Sequence, residues 1–420
     1  MKDSRGSISR RSFMARTAAA VAAAGIGISA APRALRAALG GQDAAKSGGP
    51  AAQAASSTEG KPHIKEYRPL GKTGWKVSDI SFGNAMMQEP SLLEYAIERG
   101  INYVDTARQY FEMEVVVGKL FPAKRDKLWV TTKLLPELFR PKTTVEQVTT
   151  AIDESVKRLN TDCVDCIQIH SVGEDPVASD PMKIRNENIY TAFENARKAG
   201  KIKTWGASSH GPRMIEDFTW LIDNTPIDLI QPGMNFMTKG LEPVLNKARA
   251  KGVAVVSMKS LATARKIDYK PFMGEGRTVR QAILKWMLAH DTINSVCLTM
   301  RNVDQVDEYV AASGRPEMTP EEKKALEGYG TLLDHDYCRP GCSGCLAACP
   351  AGVPIAEILR YRLYFDTYGE EKRAIALYRK LPASRNAARC ASCLAPCEAA
   401  CPYNLAIRSK LVRAHDELTV

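Results

Sequence analysis

No run of this chain is apolar for the ~20 residues that a helix needs to cross a bilayer. The alanine-rich stretch Thr17–Ala31 is shorter than that and poor in leucine, so a stable membrane span is excluded. Basic runs interleaved with aromatics are also missing, which excludes a nucleic-acid partner. The net charge of +11 does not argue otherwise: residues 1–36 hold seven Lys/Arg and one acid, a net of +6, leaving +5 for everything after them. There is no Gly-x-Gly-x-x-Gly and no flavin motif, so no dinucleotide or flavin domain is marked by a fingerprint. Cysteine is scarce over most of the length, yet eight of the eleven lie between Cys338 and Cys401. Such crowding is a ligand pattern more than a disulfide framework.

What is present begins with an address. Ser9-Arg10-Arg11-Ser12-Phe13-Met14 resembles the twin-arginine export motif, and small residues around Ser29-Ala30-Ala31 offer a cleavage site. The competing reading is an amphipathic or disordered amino terminus that stays in the cytoplasm. The sequence thus predicts a signal over residues 1–36 and a flexible linker over 37–63, rich in Ala, Gly, Ser and Gln from Gly40 to Lys61. A periplasmic or other extracytoplasmic location follows, reached with the protein already folded and loaded with cofactor.

From residue 64 to 315 short β-rich runs alternate with amphipathic helices, the pattern of parallel strands with crossover helices. Eight strands are expected: Val77–Gly83, Asn102–Ala107, Leu128–Lys133, Cys163–Ser171, Thr204–Ser209, Leu229–Met234, Val253–Lys259 and Ser295–Met300. A hairpin around Lys72-Thr73-Gly74 is expected to plug the floor. Helices fit between the strands, as over Thr144–Leu159, where Val145, Val148, Ile152 and Val156 recur at helical spacing. Another spans Asn186–Lys198 and is closed by Gly200. The fold class is α/β, a (β/α)₈ TIM barrel, whose chemistry belongs at the carboxyl ends of its strands.

Those ends carry a recognisable set. The second strand delivers Asp105, Tyr110 follows on the loop, and Glu114 and Gly118 open the next helix. The third strand ends in Lys133 and the fourth in His170. Asp105, Tyr110, Lys133 and His170, in this order, resemble the catalytic tetrad of the aldo-keto reductases. The chemistry needs such a set, because a carbonyl that accepts hydride becomes an alkoxide and requires a proton donor within hydrogen-bond reach. A phenol with a pKa near ~10 donates poorly at neutral pH, and a neighbouring ammonium eases the loss of its proton. Lys133, held by Asp105, takes that part, and His170 orients the carbonyl.

The hydride must come from a cofactor. The resemblance implies NADP(H), tightly bound, with Gly83, Ser208, Ser209, Gln231 and Arg301 lining it. Ser209 stands where the family has Asn, and Met234 is matched to the Tyr that stacks on the nicotinamide. Gln305 and Tyr309 replace the usual residues of the adenosine-binding helix, leaving Arg301 to meet a phosphate.

A connecting helix is expected over 316–336, started by Thr319-Pro320-Glu321-Glu322. Residues 337–420 hold Cys338, Cys342, Cys345 and Cys349-Pro350, then Cys390, Cys393, Cys397 and Cys401-Pro402. Stripes at Ile355, Ile358, Leu359, Leu363 and at Ile375, Tyr378, Leu381 predict helices between them. The two sets resemble the doubled bacterial ferredoxin motif, which implies two [4Fe–4S] clusters in a small α-helical domain. The resemblance pairs Cys338, Cys342 and Cys345 with Cys401, and Cys390, Cys393 and Cys397 with Cys349. Structural zinc is the alternative. Cys163, Cys166 and Cys297 are read as packed thiols.

Two functions are carried forward. One is an exported oxidoreductase that interconverts a small carbonyl compound and its alcohol, with Tyr110 as acid/base. The other is an electron-transfer subunit that docks on a redox protein and uses the barrel as a scaffold. Hydride carries two electrons while a cluster passes one, so joining the two chemistries requires a mediator, and flavin is not excluded.

Overall fold

The computed structural model describes residues 60–121, 123–174, 184–264 and 279–419. The twin-arginine segment, its cleavage site and nearly all of the linker lie outside the described residues. Among the described residues no helix is long and apolar enough to cross a membrane.

Strands β1 (Tyr67–Pro69) and β2 (Lys76–Ser78) pair antiparallel around the Lys72–Gly74 turn. Leu70, Trp75 and Val77 from this hairpin pack against Tyr103, Trp129 and Cys166, so the expected floor plug is present. The chain continues through β3 (Ile80–Gly83), α1 (Ser91–Glu98), β4 (Tyr103–Asp105), α2 (Met113–Gly118) and β5 (Trp129–Leu134). Next come α3 (Val145–Arg158), β6 (Val164–Ile169), α4 (Glu187–Lys198), β7 (Ile202–Ser209) and α5 (Met214–Asn224). The last barrel units are β8 (Leu229–Pro232), α6 (Glu242–Ala250), β9 (Ala254–Ser257), α7 (Val279–Leu288), β10 (Ser295–Thr299) and α8 (Val303–Val310). Among the described residues β3 to β10 form a closed barrel of eight parallel strands, with β10 returning to β3. The first strand starts later than expected because Lys76–Ser78 belongs to the hairpin.

Helix ends follow local chemistry. Thr144 and Gln147 form a reciprocal capping box at α3, and Asn186 caps α4. Gly200 takes the left-handed conformation (φ 74°) that ends the turn after α4, where a side chain would be strained. Helix α9 (Pro320–Leu333) starts with a second capping box, from Thr319 and Glu322.

Strand alternation decides what faces the lumen. On β5, Val130 joins the packing shell outside the barrel while Trp129 lies in the floor cluster. Thr131 Oγ1 donates to the floor residue Tyr103 (2.8 Å), so Lys133, two positions on, also faces inward. The same parity turns Asp105 of β4 inward, and His170 just past β6. Thr132, of opposite parity, donates to Glu114 (2.6 Å), whose other oxygen accepts from Arg158 (2.6 Å). A Cβ on Gly118 would lie 2.7 Å from the Arg158 carbonyl oxygen. Glu114 and Gly118 therefore brace α2 against α3 and stay outside the lumen.

After α9 the chain forms α10 (Ile355–Asp366), α11 (Glu371–Arg379), the short α12 (Pro396–Ala399) and α13 (Ile407–Leu418). Ile355, Ile358, Tyr378, Leu381, Leu411 and four of the cysteines make a core of their own. This carboxyl-terminal module is seated on the barrel mouth. Arg301 Nη2 donates to the Tyr368 carbonyl (2.6 Å), and Asn235 donates to Tyr337 (3.0 Å).

Candidate active site

Lys133 is only 1% exposed, and its ammonium donates to Asp105 Oδ1 (2.5 Å) and to the Thr106 carbonyl (2.9 Å). Gln231 of β8 donates to the other Asp105 oxygen (2.9 Å). The ammonium sits 5.3 Å from the centroid of the Tyr110 ring. That ring meets His170 edge to face, with centroids 5.8 Å apart. The four residues expected at three strand ends and one loop are thus brought together.

Their electrostatics differ from the sequence expectation in one respect. Burial pushes the Tyr110 phenol up to about 12, and Lys133 pulls against it without prevailing. The ammonium was expected to bring the phenol down; desolvation of the anion outweighs it. Burial also works against the charge of Lys133, yet Asp105 and Tyr110 together hold its pKa above the ordinary lysine value. His170 is driven well below the usual histidine range by burial first and then by Lys133, Arg373 and Lys259, so its imidazole is neutral. Its Nδ1 is buried without a partner.

Tyr110 lies between two cavities. One, of about 410 Å³, is shared with His170, Phe139 and Ile169 and suits a small molecule. The other, of about 220 Å³, reaches Gly83, Asp105, Cys297 and Arg301. Both are roofed by the carboxyl-terminal module, through Tyr364 and Arg373 over the first and Thr367, Tyr368 and Arg373 over the second.

The aldo/keto reductase family model matches residues 72–268. The chain is 25% identical over 309 residues to L-galactose dehydrogenase of Arabidopsis thaliana, covering 64% of this chain and 94% of that protein. It is 23% identical over 309 residues to L-glyceraldehyde 3-phosphate reductase of Escherichia coli K12, covering 59% and 87% respectively. Its fold is similar to the aldo-keto reductase AKR11C1 from Bacillus halodurans, with a TM-score of 0.52, 24% identity and coverage of 64% and 96%. The chain is an aldo-keto reductase-like oxidoreductase.

NADP dependence is typical of such reductases, and the expected cofactor residues answer unevenly. Gln231 Oε1 is a buried acceptor with no donor, which fits a carboxamide. Ser208 is fully buried on the lumen side of β7. Ser209, by contrast, donates to the Val172 carbonyl (2.6 Å) and accepts from Gly211, so it braces a loop instead. Gly83 lines the smaller cavity, where a Cβ would meet Cys297 Sγ at 2.8 Å; its bareness serves packing between β3 and β10. Arg301, expected to meet a phosphate, is tied to the Tyr368 carbonyl and lies 3.9 Å from Glu370. Met234 lines neither cavity by Tyr110, whereas Met258 lines both. Past the last strand residue of β8, Gly233 bridges to Met258, and the Met234 N–H donates to the Met258 carbonyl (2.9 Å).

Several residues of the aldo-keto reductase-like mouth were missed by sequence reasoning. Arg360 and Tyr364 of α10, Arg373 of α11, and Lys259 and His210 of the barrel all line the larger of the two cavities. Tyr364 faces His210 Nε2 at 3.5 Å, and Arg360 lies 3.5 Å from Glu174. Burial would raise the Tyr364 phenol, but Lys259, Arg360 and Arg373 outweigh it and hold the pKa below the ordinary tyrosine value. A signal did exist: Arg360 and Tyr364 stand four residues apart on α10, a second face beside the apolar stripe.

All eleven cysteines are free. Burial pushes the Cys345 thiol up to about 12, with Cys401 and Cys342 its next strongest neighbours and Cys397 a weaker one. Cys338 is raised by burial and then by Cys345, Cys342 and Cys401. In the second set burial pushes Cys390 up to about 11, followed by Cys349, Cys397 and Cys393. Direct packing agrees, since a Cβ on Gly344 would lie 3.1 Å from Pro402. Arg385 donates to the Gly352 carbonyl (2.8 Å), tying the segment after Cys349 to the one before Cys390. Among the described residues no three His, Cys, Asp or Glu side chains stand close enough to hold a single metal ion. Cys163 is half-buried, and Cys166 and Cys297 are buried, as packed thiols are.

Proposed function

We propose that this protein is an exported reductase that interconverts a small carbonyl compound and its alcohol, with Tyr110 as general acid and base. The observation that carries the reading is the convergence of Tyr110, Lys133, Asp105 and His170 beside a 410 Å³ cavity. Nicotinamide, with Gln231 and Ser208 as the residues that would hold its carboxamide, supplies the hydride when bound. Tyr110 gives its proton to the nascent alkoxide and takes it back in the reverse direction. Neutral His170 positions the carbonyl oxygen, and Asp105 fixes the Lys133 ammonium against the ring. Domain limits of 64–315 for the barrel, 316–336 for the connecting helix and 337–420 for the module suit this division of labour. Two [4Fe–4S] clusters in that module, and the twin-arginine address, complete the reading.

A second reading, an electron carrier with the barrel as scaffold, is favoured by one observation. Arg301 and Ser209, which should grip the dinucleotide, are both engaged within the protein. Purified full-length protein with its native iron separates the two. Oxidation of NADPH by aldehydes or ketones supports the reductase. Failure of every carbonyl tested, with clusters that cycle with a protein donor, supports the carrier.

The protonation state gives a further expected outcome. A phenol at about 12 stays protonated through neutral pH, so carbonyl reduction is flat between pH 7 and 10 on the side of this group. Alcohol oxidation needs the phenolate and climbs about tenfold per pH unit over the same range. Initial rates in both directions against pH check this, and a plateau of the oxidation rate below pH 9 contradicts it.

A further inference from the structure

The larger cavity beside Tyr110 is unusual in where it puts charge. In its wall Arg373 is paired with Glu370 at 2.7 Å, Arg360 with Glu174 at 3.5 Å and Lys380 with Glu137 at 3.2 Å, and Lys133 behind Tyr110 is paired with Asp105 at 2.5 Å. Lys259 has no ion pair and no side-chain hydrogen bond among the described residues; its ammonium instead faces the rings of Tyr364 (4.5 Å) and Tyr368 (5.0 Å). Half-buried, it lines both cavities that touch Tyr110. A third cavity, of about 570 Å³, runs from Lys259, His210 and Tyr364 toward Cys338 and Cys342. An ammonium taken partly out of water without a counter-charge is costly, and a site that keeps one is arranged for an anion.

Two features show that the position is built. Lys259 follows β9 with φ at 61°, in the left-handed region that a long side chain rarely adopts, and such strain gathers at functional sites. In the same cavity wall Arg360 Nε is a buried donor without an acceptor. The two histidines nearby, His170 and His210, are both held neutral and supply no competing charge.

We infer that the substrate of the Tyr110 site carries a carboxylate, held by Lys259 under the roof that Arg360 and Arg373 provide. The inference rests on the reductase reading and narrows its substrate to oxo acids and acidic sugars. A carboxylate supplies acceptors and no donor when ionised, which is what the unpaired Lys259 ammonium and the Arg360 Nε require. Arg373 joins the two ends of the site: its guanidinium carbon is 5.9 Å from the Tyr110 ring and 4.8 Å from the Tyr364 ring. The same cation also reaches the smaller cavity, where a dinucleotide phosphate would bring the same chemistry. Substrate is favoured because the larger cavity holds His170 together with Lys259, Arg360 and Arg373.

The probes are 4-oxopentanoate and its methyl ester, with glucuronate and glucose as a second pair. Binding is measured by calorimetry on full-length Tyr110→Phe protein, which retains the cavity. The acids bind about 10- to 100-fold more tightly than their neutral partners, as one desolvated charge-assisted contact provides. Lys259→Met removes that difference and Lys259→Arg restores part of it, each with an unchanged circular dichroism spectrum. Equal binding of acid and ester overturns the proposal, as does a preference that survives Lys259→Met. So does a Lys259→Met protein that loses NADPH affinity while keeping the acid preference, which assigns the cation to the cofactor. An acid preference in a protein that reduces no carbonyl sinks the reductase reading while the anion site stands.

Discussion

Replacing Tyr110 with Phe is expected to lower the rate of carbonyl reduction by about 10²–10⁴-fold, the usual worth of a positioned general acid. Iron content, the far-ultraviolet circular dichroism spectrum and the KM for substrate should stay close to those of the parent protein. The substitution is clean for structural reasons. The Tyr110 hydroxyl makes no side-chain hydrogen bond among the described residues, so its loss leaves no buried partner behind. The ring contact with His170 is kept by Phe. Asp105 and Lys133 are poorer choices for the same test. They form a buried pair, and removing one partner leaves a charge that costs about 3–5 kcal/mol, a large part of a stability of ~5–15 kcal/mol. A fall in rate in those variants would confound chemistry with unfolding. If kcat changes less than about tenfold in Tyr110→Phe, the proton comes from elsewhere. Tyr364, whose pKa is held down by three cations, is then the next phenol to replace.

The tetrad was legible because its information is local. Strand alternation fixes which residues face the lumen, and strand order fixes which ends are neighbours. Those rules place Asp105, Lys133 and His170 at neighbouring strand ends, and the resemblance to the aldo-keto reductase set singles them out. Met234 was matched by resemblance to a Tyr of the nicotinamide site, whereas the cavity walls beside Tyr110 carry Met258. The direction of the Tyr110 shift was missed for a different reason: sequence shows charges but not burial, and burial is the larger effect here. Lys259, Arg360, Tyr364 and Arg373 were not legible as a group. They come from the turn after β9 and from two helices far along the chain, and no spacing rule links them. The apolar stripe of α10 was read correctly as a core face, which hid the polar face that covers the barrel. Arg301 shows the same limit in reverse, since its partner is a backbone carbonyl more than sixty residues away.

The cysteine pairing has a similarly decisive test, because cross-pairing and sequential pairing predict opposite outcomes for two double variants. If Cys401 completes the set of Cys338, Cys342 and Cys345, then Cys338→Ala combined with Cys401→Ala damages one cluster, and about four iron atoms remain. Cys390→Ala with Cys401→Ala damages both, and iron is lost altogether. Sequential pairing reverses these results. The packing of Gly344 against Pro402 and of Gly352 against Arg385 favours the crossed arrangement, since it brings each closing cysteine to the other motif. The effect should extend beyond the metal. Cys345, Cys390, Cys397 and Cys401 lie in the small core shared by α10, α11 and α13, where binding a cluster would also supply folding free energy. If the module carries the two proposed clusters, losing both is expected to loosen the helices that carry Tyr364 and Arg373 over the barrel mouth, and carbonyl reduction is expected to fall with the iron. A protein that sheds all its iron and keeps full reductase activity would mean that the roof stands without the clusters.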